Sequence, residues 1–165
     1  MTAPDVVAHV EQVIDGATCW GAELDTRYRV LGVTLDPVPG THPDGPVDDT
    51  RLQLVLHPCA WVQARLLRDD GESRVVESFG VEQLVLVVDR LGGARIEGPV
   101  LDQAHGPLEG PLSLEGRSET GDGTAHEAVL RMSGGGRRLE LRVTCDVVEL
   151  RRPDGSVVMP PVTDA

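Results

Sequence analysis

The sequence predicts a mainly β domain, an antiparallel β-sandwich or barrel-like meander with one short N-terminal α-helix. Three observations carry this. A helical apolar period is confined to the first residues, an alternation of period two takes over after residue 25, and Gly-, Pro- and Asp-rich turns punctuate the rest at intervals of about 8–12 residues. At 165 residues with 40% apolar side chains, the chain reads as a single domain over 1–165, with the helix in 1–16 and the β domain in 26–159.

The helix is expected because Val6, Val7, Val10, Val13 and Ile14 share one helical face. Thr2 suits its cap, Pro4 and Asp5 its first turn, and Gly16 its end. Four of those five apolar residues are valine, which lowers the intrinsic helix preference and leaves the packing of that face to hold it.

The alternation then runs through Leu31, Val33 and Leu35, through Leu52, Leu54 and Leu56, and through Val62, Ala64 and Leu66. Pro58 cannot donate to a ladder, so a kink or an edge position is expected there. Residues 81–91 fit a helix through Val81, Leu84, Val85, Val88 and Leu91. Their valine density and the following Gly92-Gly93 favour a hairpin instead. Toward the C-terminus, "PLSLEG", "AHEAVLRM" and "RRLELRVTCDVVEL" form a meander separated by "TGDGT" and "SGGG". The apolar face Leu139, Leu141, Val143, Cys145 and Val147 changes phase to Val148 and Leu150, which predicts a bulge or sheet switch near Val147. "RRPDGSVV" closes with a Pro-Asp-Gly turn, and the longest loop is 36–50.

Composition removes several functions. The chain has no lysine; all 15 of its basic residues are arginine. It has no asparagine either, and both absences are what a GC-rich bacterial genome would give. Schiff-base chemistry, a P-loop lysine and a kinase-type lysine are therefore excluded. A net charge of −12 argues against nucleic acid and anionic membrane as partners. Residues 1–130 hold 9 Arg against 22 acids, whereas 131–165 hold 6 Arg against 5, an asymmetry able to orient a charged partner. No run of apolar residues approaches a membrane span, and the N-terminus lacks the basic start of a secretion signal. Three widely spaced cysteines do not suggest a disulfide framework, so a reducing, cytoplasmic location is expected.

The chemistry-bearing residues are few. Cys19-Trp20 in "DGATCWG" raises the question of a catalytic thiol, but the residues that follow run into a strand rather than the helix that would lower a thiol pKa. Cys19 therefore reads as a small buried hydrophobe beside an anchoring indole. In "HPC", His57 and Cys59 form a dyad candidate without a third group to orient the imidazole. Asp36, His42, Asp44, Asp48 and Asp49 in one loop, and Glu119, Asp122, His126 and Glu127 near another, lack metal-motif spacing. "SGGGRR" leads into a strand, not a helix N-terminus, and lacks the physics of a phosphate cradle.

The expected function is accordingly a non-catalytic, acidic, cytoplasmic β domain that binds a protein partner, of the immunity or accessory type whose small acidic members share this composition. No enzyme activity, cofactor or metal is expected. The alternative is a small-molecule-binding or hydrolytic β-barrel with a pocket near His57 and Cys59. For either, the candidate contact residues are Trp20, Trp61, His57 and Cys59.

Overall fold

The computed structural model describes residues 3–69, 74–77, 83–101 and 126–161. Among them, 53% strand content sits in one antiparallel seven-stranded sheet, accompanied by two short helices. Helix α1 (Ala3–Ile14) is followed by β1 (Thr18–Asp25), β2 (Val30–Asp36), β3 (Leu52–Asp69), β4 (Arg74–Glu77), α2 (Leu84–Arg90), β5 (Ala94–Val100), β6 (His126–Gly134) and β7 (Arg137–Arg151).

The sheet order is β2-β1-β5-β6-β7-β3-β4, and β2 also pairs with β3. Six strands therefore close into a ring, and β4 extends the far end of β3. Two long strands make this possible. On one edge, β3 follows β7 from Gln53 to Arg68; on its other edge it serves β2 with residues 52–56 and β4 with residues 66–69. The seam between β1 and β5 is short, comprising Thr18–Arg95 and Cys19–Ala94, and the backbone bonds that Gly16 and Ala17 make with Ile96 lengthen it.

Alternation fills the ring. Cys19 and Ala22 from β1, Leu31, Val33 and Leu35 from β2, Leu54 and Leu56 from β3, Ile96 from β5, Leu130 and Met132 from β6, and Leu139 and Leu141 from β7 belong to one buried cluster. The interior is thus packed with side chains, as small barrels are. Helix α1 buries Val7, Val10, Val13 and Ile14 in the same core and packs on β5 and β7. It ends at Gly16, which takes the left-handed φ of +78° that favours glycine after a helix. No helix among the described residues is long and apolar enough to cross a membrane.

The hairpin favoured for 81–91 is corrected: residues 84–90 are helical. Leu84, Val88 and Leu91, spaced four and three apart, form its buried face, and tertiary packing against β1 overrides the valines' strand preference. Gly92 and Gly93, at φ +65° and +84°, end this helix and turn the chain into β5.

The phase change foreseen near Val147 is present, since burial steps from Cys145 to Val148. No register shift accompanies it, because the β3–β7 ladder runs in step from Leu56–Val148 through His57–Val147 to Cys59–Cys145; the bulge lies further on, between Cys59 and Trp61 of β3. Strand β3 continues through Pro58, whose peptide with His57 is cis, and pairs with β7 on both sides of it. The "SGGG" turn is a two-residue hairpin with Gly135 and Gly136 at φ +58° and +75°, the geometry that two left-handed residues give. The Pro-Asp-Gly turn is closed by Arg152 and Ser156, with Asp154 Oδ1 accepting from the Ser156 amide. "PLSLEG", "TGDGT", Glu119 and Asp122 lie outside the described residues.

Candidate functional site

Trp20 owes its position to a β-bulge. Cys19 pairs with Leu35 and Gly21 with Thr34, so Trp20 is the extra residue in β1. Cys19 and Ala22, three residues apart, both point into the core, so the bulge sets Trp20 and Gly21 together on the outer side and the indole is 55% exposed. Bulges re-aim side chains in this way. The indole is also fixed. Its Nε1–H donates to Asp36 Oδ2 at 2.7 Å, while Thr50 Oγ1 donates to Asp36 Oδ1 at 2.8 Å. One carboxylate therefore ties the bulge of β1 to the end of β2 and to the end of the long loop.

Glycine makes room for the ring. A Cβ on Gly93 would lie 3.2 Å from the indole Cζ3, and Gly93 already needs its positive φ. On the other side of the bulge, a Cβ on Gly21 would meet Asp89 Oδ1 at 3.3 Å. Exposed Glu23 and Asp25 continue along β1. The result is a rigid exposed indole with Asp36 hydrogen-bonded to it and further carboxylates along the same strand and on α2.

The other predicted site residues are not brought together. Cys59 is buried at 4% exposure, and its Sγ donates to the Leu56 carbonyl at 3.3 Å. His57 stands partly exposed, its Nε2 3.5 Å from Glu149 Oε2, and makes no hydrogen bond with Cys59. The backbone of Trp61 pairs with Thr144, and its side chain lies outside the described set.

Burial raises all three thiols. Cys19 and Cys59 are pushed up to about 11 and Cys145 to about 12. None is a thiolate at neutral pH, which removes the activation a nucleophilic cysteine needs.

Three acids of the long loop are engaged singly. Asp36 serves Trp20 and Thr50, Asp49 holds Arg51, and Asp44 pairs with Arg152 through two bonds of 2.7 and 2.8 Å. The last contact holds the Asp44 carboxyl below its ordinary pKa. Among the described residues, no group of three or more His, Cys, Asp or Glu is placed to hold a metal ion.

Two surface grooves lie among the described residues. One, of about 340 Å³, is lined by Thr34, Arg51, Gln53, Arg151 and Arg152. Its arginines already face Asp49, Glu149 and Asp44, so the groove offers an anion no net positive charge. The other, of about 570 Å³, lies between α1, Gly98-Pro99 and Pro160-Pro161. There Glu11 and Asp15 accept the backbone amides of Leu101 and Gly98, and burial pushes the His9 imidazole below its usual pKa.

Compared with protein-family models, curated proteins and solved structures, the chain matches none.

The sequence singled out Trp20 without its partner or its bulge. The alternation read from residue 25 onward does not reach β1 at Thr18–Asp25, whose Gly21 is the isolated strand glycine that often marks a bulge. Nothing local links Trp20 to Asp36, sixteen residues on.

Proposed function

We propose that this chain is a non-catalytic binding domain of the cytoplasm that engages a protein partner of basic surface, as an immunity or accessory protein does. The observation that carries the proposal is Trp20, an indole raised on a bulge, held by Asp36 and left exposed. An exposed tryptophan normally loses side-chain entropy when a partner covers it; one already fixed loses less. Tryptophan is also among the residues most enriched at the energetic centre of interfaces. The net charge of −12 and the Asp36 carboxylate bonded to the indole favour a partner bearing arginine or lysine at the matching position. The packed barrel interior and the un-ionised thiols support binding on the outer surface over chemistry within.

The test is affinity capture from the native cells with wild type and Trp20→Ala as baits, followed by titration of the purified pair. A basic partner should be held by wild type and lost by Trp20→Ala. In the purified pair the substitution should weaken binding roughly 30-fold or more, as a hot-spot truncation of about 2 kcal/mol implies. Recovery of the chain alone, or a partner held equally by Trp20→Ala, would overturn the proposal.

A further inference from the structure

Two of the three buried thiols face each other. Cys59 of β3 and Cys145 of β7 are directly opposed in the ladder, and both belong to the core cluster, so both side chains lie on the inner face. The pairing from His57–Val147 to Cys59–Cys145 is in register, and the bulge follows only after Cys59.

The hydrogen bonding fixes which kind of pair this is. The Cys59 amide donates to the Arg29 carbonyl at 2.8 Å, and Arg29 immediately precedes β2, on the edge of β3 away from β7. In a strand, the N–H and C=O of one residue point toward the same edge. Cys59 therefore exchanges no ladder bond with Cys145. Such non-hydrogen-bonded pairs are the closer ones, with Cα atoms about 4.5 Å apart and side chains nearer than in bonded pairs. Disulfides span Cα separations of about 4.4–6.8 Å, so the backbone stands within bridging range. The thiols already sense each other, because Cys59 is second only to burial in holding the Cys145 thiol high. His126 of β6 opposes Cys145 from the other side, but these residues are not placed to hold a metal, which leaves thiol–thiol chemistry.

We propose that Cys59 and Cys145 are a redox-convertible pair, which a low-molecular-weight disulfide such as glutathione disulfide closes into a cross-strand bridge between β3 and β7. In the first step local opening brings one cysteine into water, where it loses its proton, and its thiolate attacks the glutathione disulfide; a mixed disulfide forms and one glutathione thiolate leaves. The second cysteine then attacks the protein sulfur of that mixed disulfide and displaces the second glutathione. Both protein thiols are oxidised, their two protons pass to solvent or to the departing thiolates, and one glutathione disulfide is reduced to two thiols. Because both sulfurs are buried, the first step needs local opening of the strand pair, and mild denaturant should accelerate it. Cys19 opposes Leu35 and Ala94 and takes no part.

The experiment incubates the full chain with glutathione disulfide, in buffer and at a urea concentration below the unfolding transition. A parallel sample is refolded in a glutathione redox buffer. After acid quench, free thiols are alkylated in denaturant and the chain is analysed by intact mass and peptide mapping. Two of the three thiols should be protected, with a peptide linking residues 59 and 145 and a raised thermal midpoint. Cys19→Ala should behave like wild type, and Cys59→Ser and Cys145→Ser should not bridge. Three alkylatable thiols after refolding in the redox buffer, a stable glutathione adduct without a bridge, or a bridge involving Cys19 would each overturn the proposal.

Discussion

Gly134→Ala and Gly32→Ala present the same contact distance and should have different outcomes. A Cβ built on Gly134 would lie 2.7 Å from the Leu91 carbonyl oxygen, and one on Gly32 would lie 2.7 Å from Gln53 Nε2. Ordinary contact begins near 3.4 Å, so each substitution is short by about 0.7 Å. The difference is what has to move. Leu91 caps α2 and its side chain is buried, and Ala94 of β5 stands 3.4 Å away on the same side. Relief at Gly134 therefore shifts backbone at the α2–β5 corner, an overpacking cost of about 1–3 kcal/mol. At Gly32 the obstacle is the end of a flexible side chain, which can swing toward solvent. Losing glycine's freedom in the unfolded chain returns about 0.4–1 kcal/mol in both variants. The expected outcomes are a net loss of about 1–2 kcal/mol for Gly134→Ala and a change within about 0.5 kcal/mol for Gly32→Ala. Urea unfolding followed by tryptophan fluorescence measures both, provided the slope with denaturant stays constant. Equal midpoints for the two variants would refute the distinction between rigid and yielding neighbours.

Two further predictions concern pH. Alkaline stability should fall from about pH 9 upward. There the unfolded chain releases thiol protons that the folded chain keeps to about 11 or 12, so the native state binds more protons and loses ground as pH rises. With no lysine and one tyrosine in the sequence, thiols dominate this range, at up to about 1.4 kcal/mol per pH unit for each; a urea midpoint constant from pH 8 to 11 would contradict the burial of all three. At the acid end, Asp44→Asn should cost no more than about 1 kcal/mol at pH 6, because its pair with Arg152 is a surface pair whose side chains stay 28% and 32% exposed. Since the folded carboxyl titrates below its unfolded value, the contribution is complete above the unfolded pKa and fades as pH falls through the folded one. A penalty of the same size at pH 6 and pH 3 would show that charge is not its origin.

Local pattern carried much of the fold. The valine face of α1, the alternation in β2, β3 and β7, and the glycine pair of the last hairpin all lie within a few residues of one another, where backbone period and turn chemistry act directly. The sequence failed where distant partners decide. Residues 84–90 have the composition of a strand, and only the surface of β1 beneath Leu84 and Val88 makes them a helix. The site divides in the same way. Trp20 is conspicuous as one of two tryptophans, but its exposure comes from a register shift against β2 and its rigidity from Asp36. The proximity of His57 and Cys59 in sequence suggested a dyad; in the fold one stands beside Glu149 and the other is in the core.

By itself, then, the sequence determined a lysine-free, acidic β domain with a leading helix, because composition and periodicity act locally and additively. The tertiary structure decided that the sheet closes on itself, that Trp20 is turned outward, and that Cys59 meets Cys145 across two strands. Those outcomes depend on register between segments far apart in the chain. A shift of one residue in pairing reverses every side chain, and no local pattern encodes which register the packed core selects.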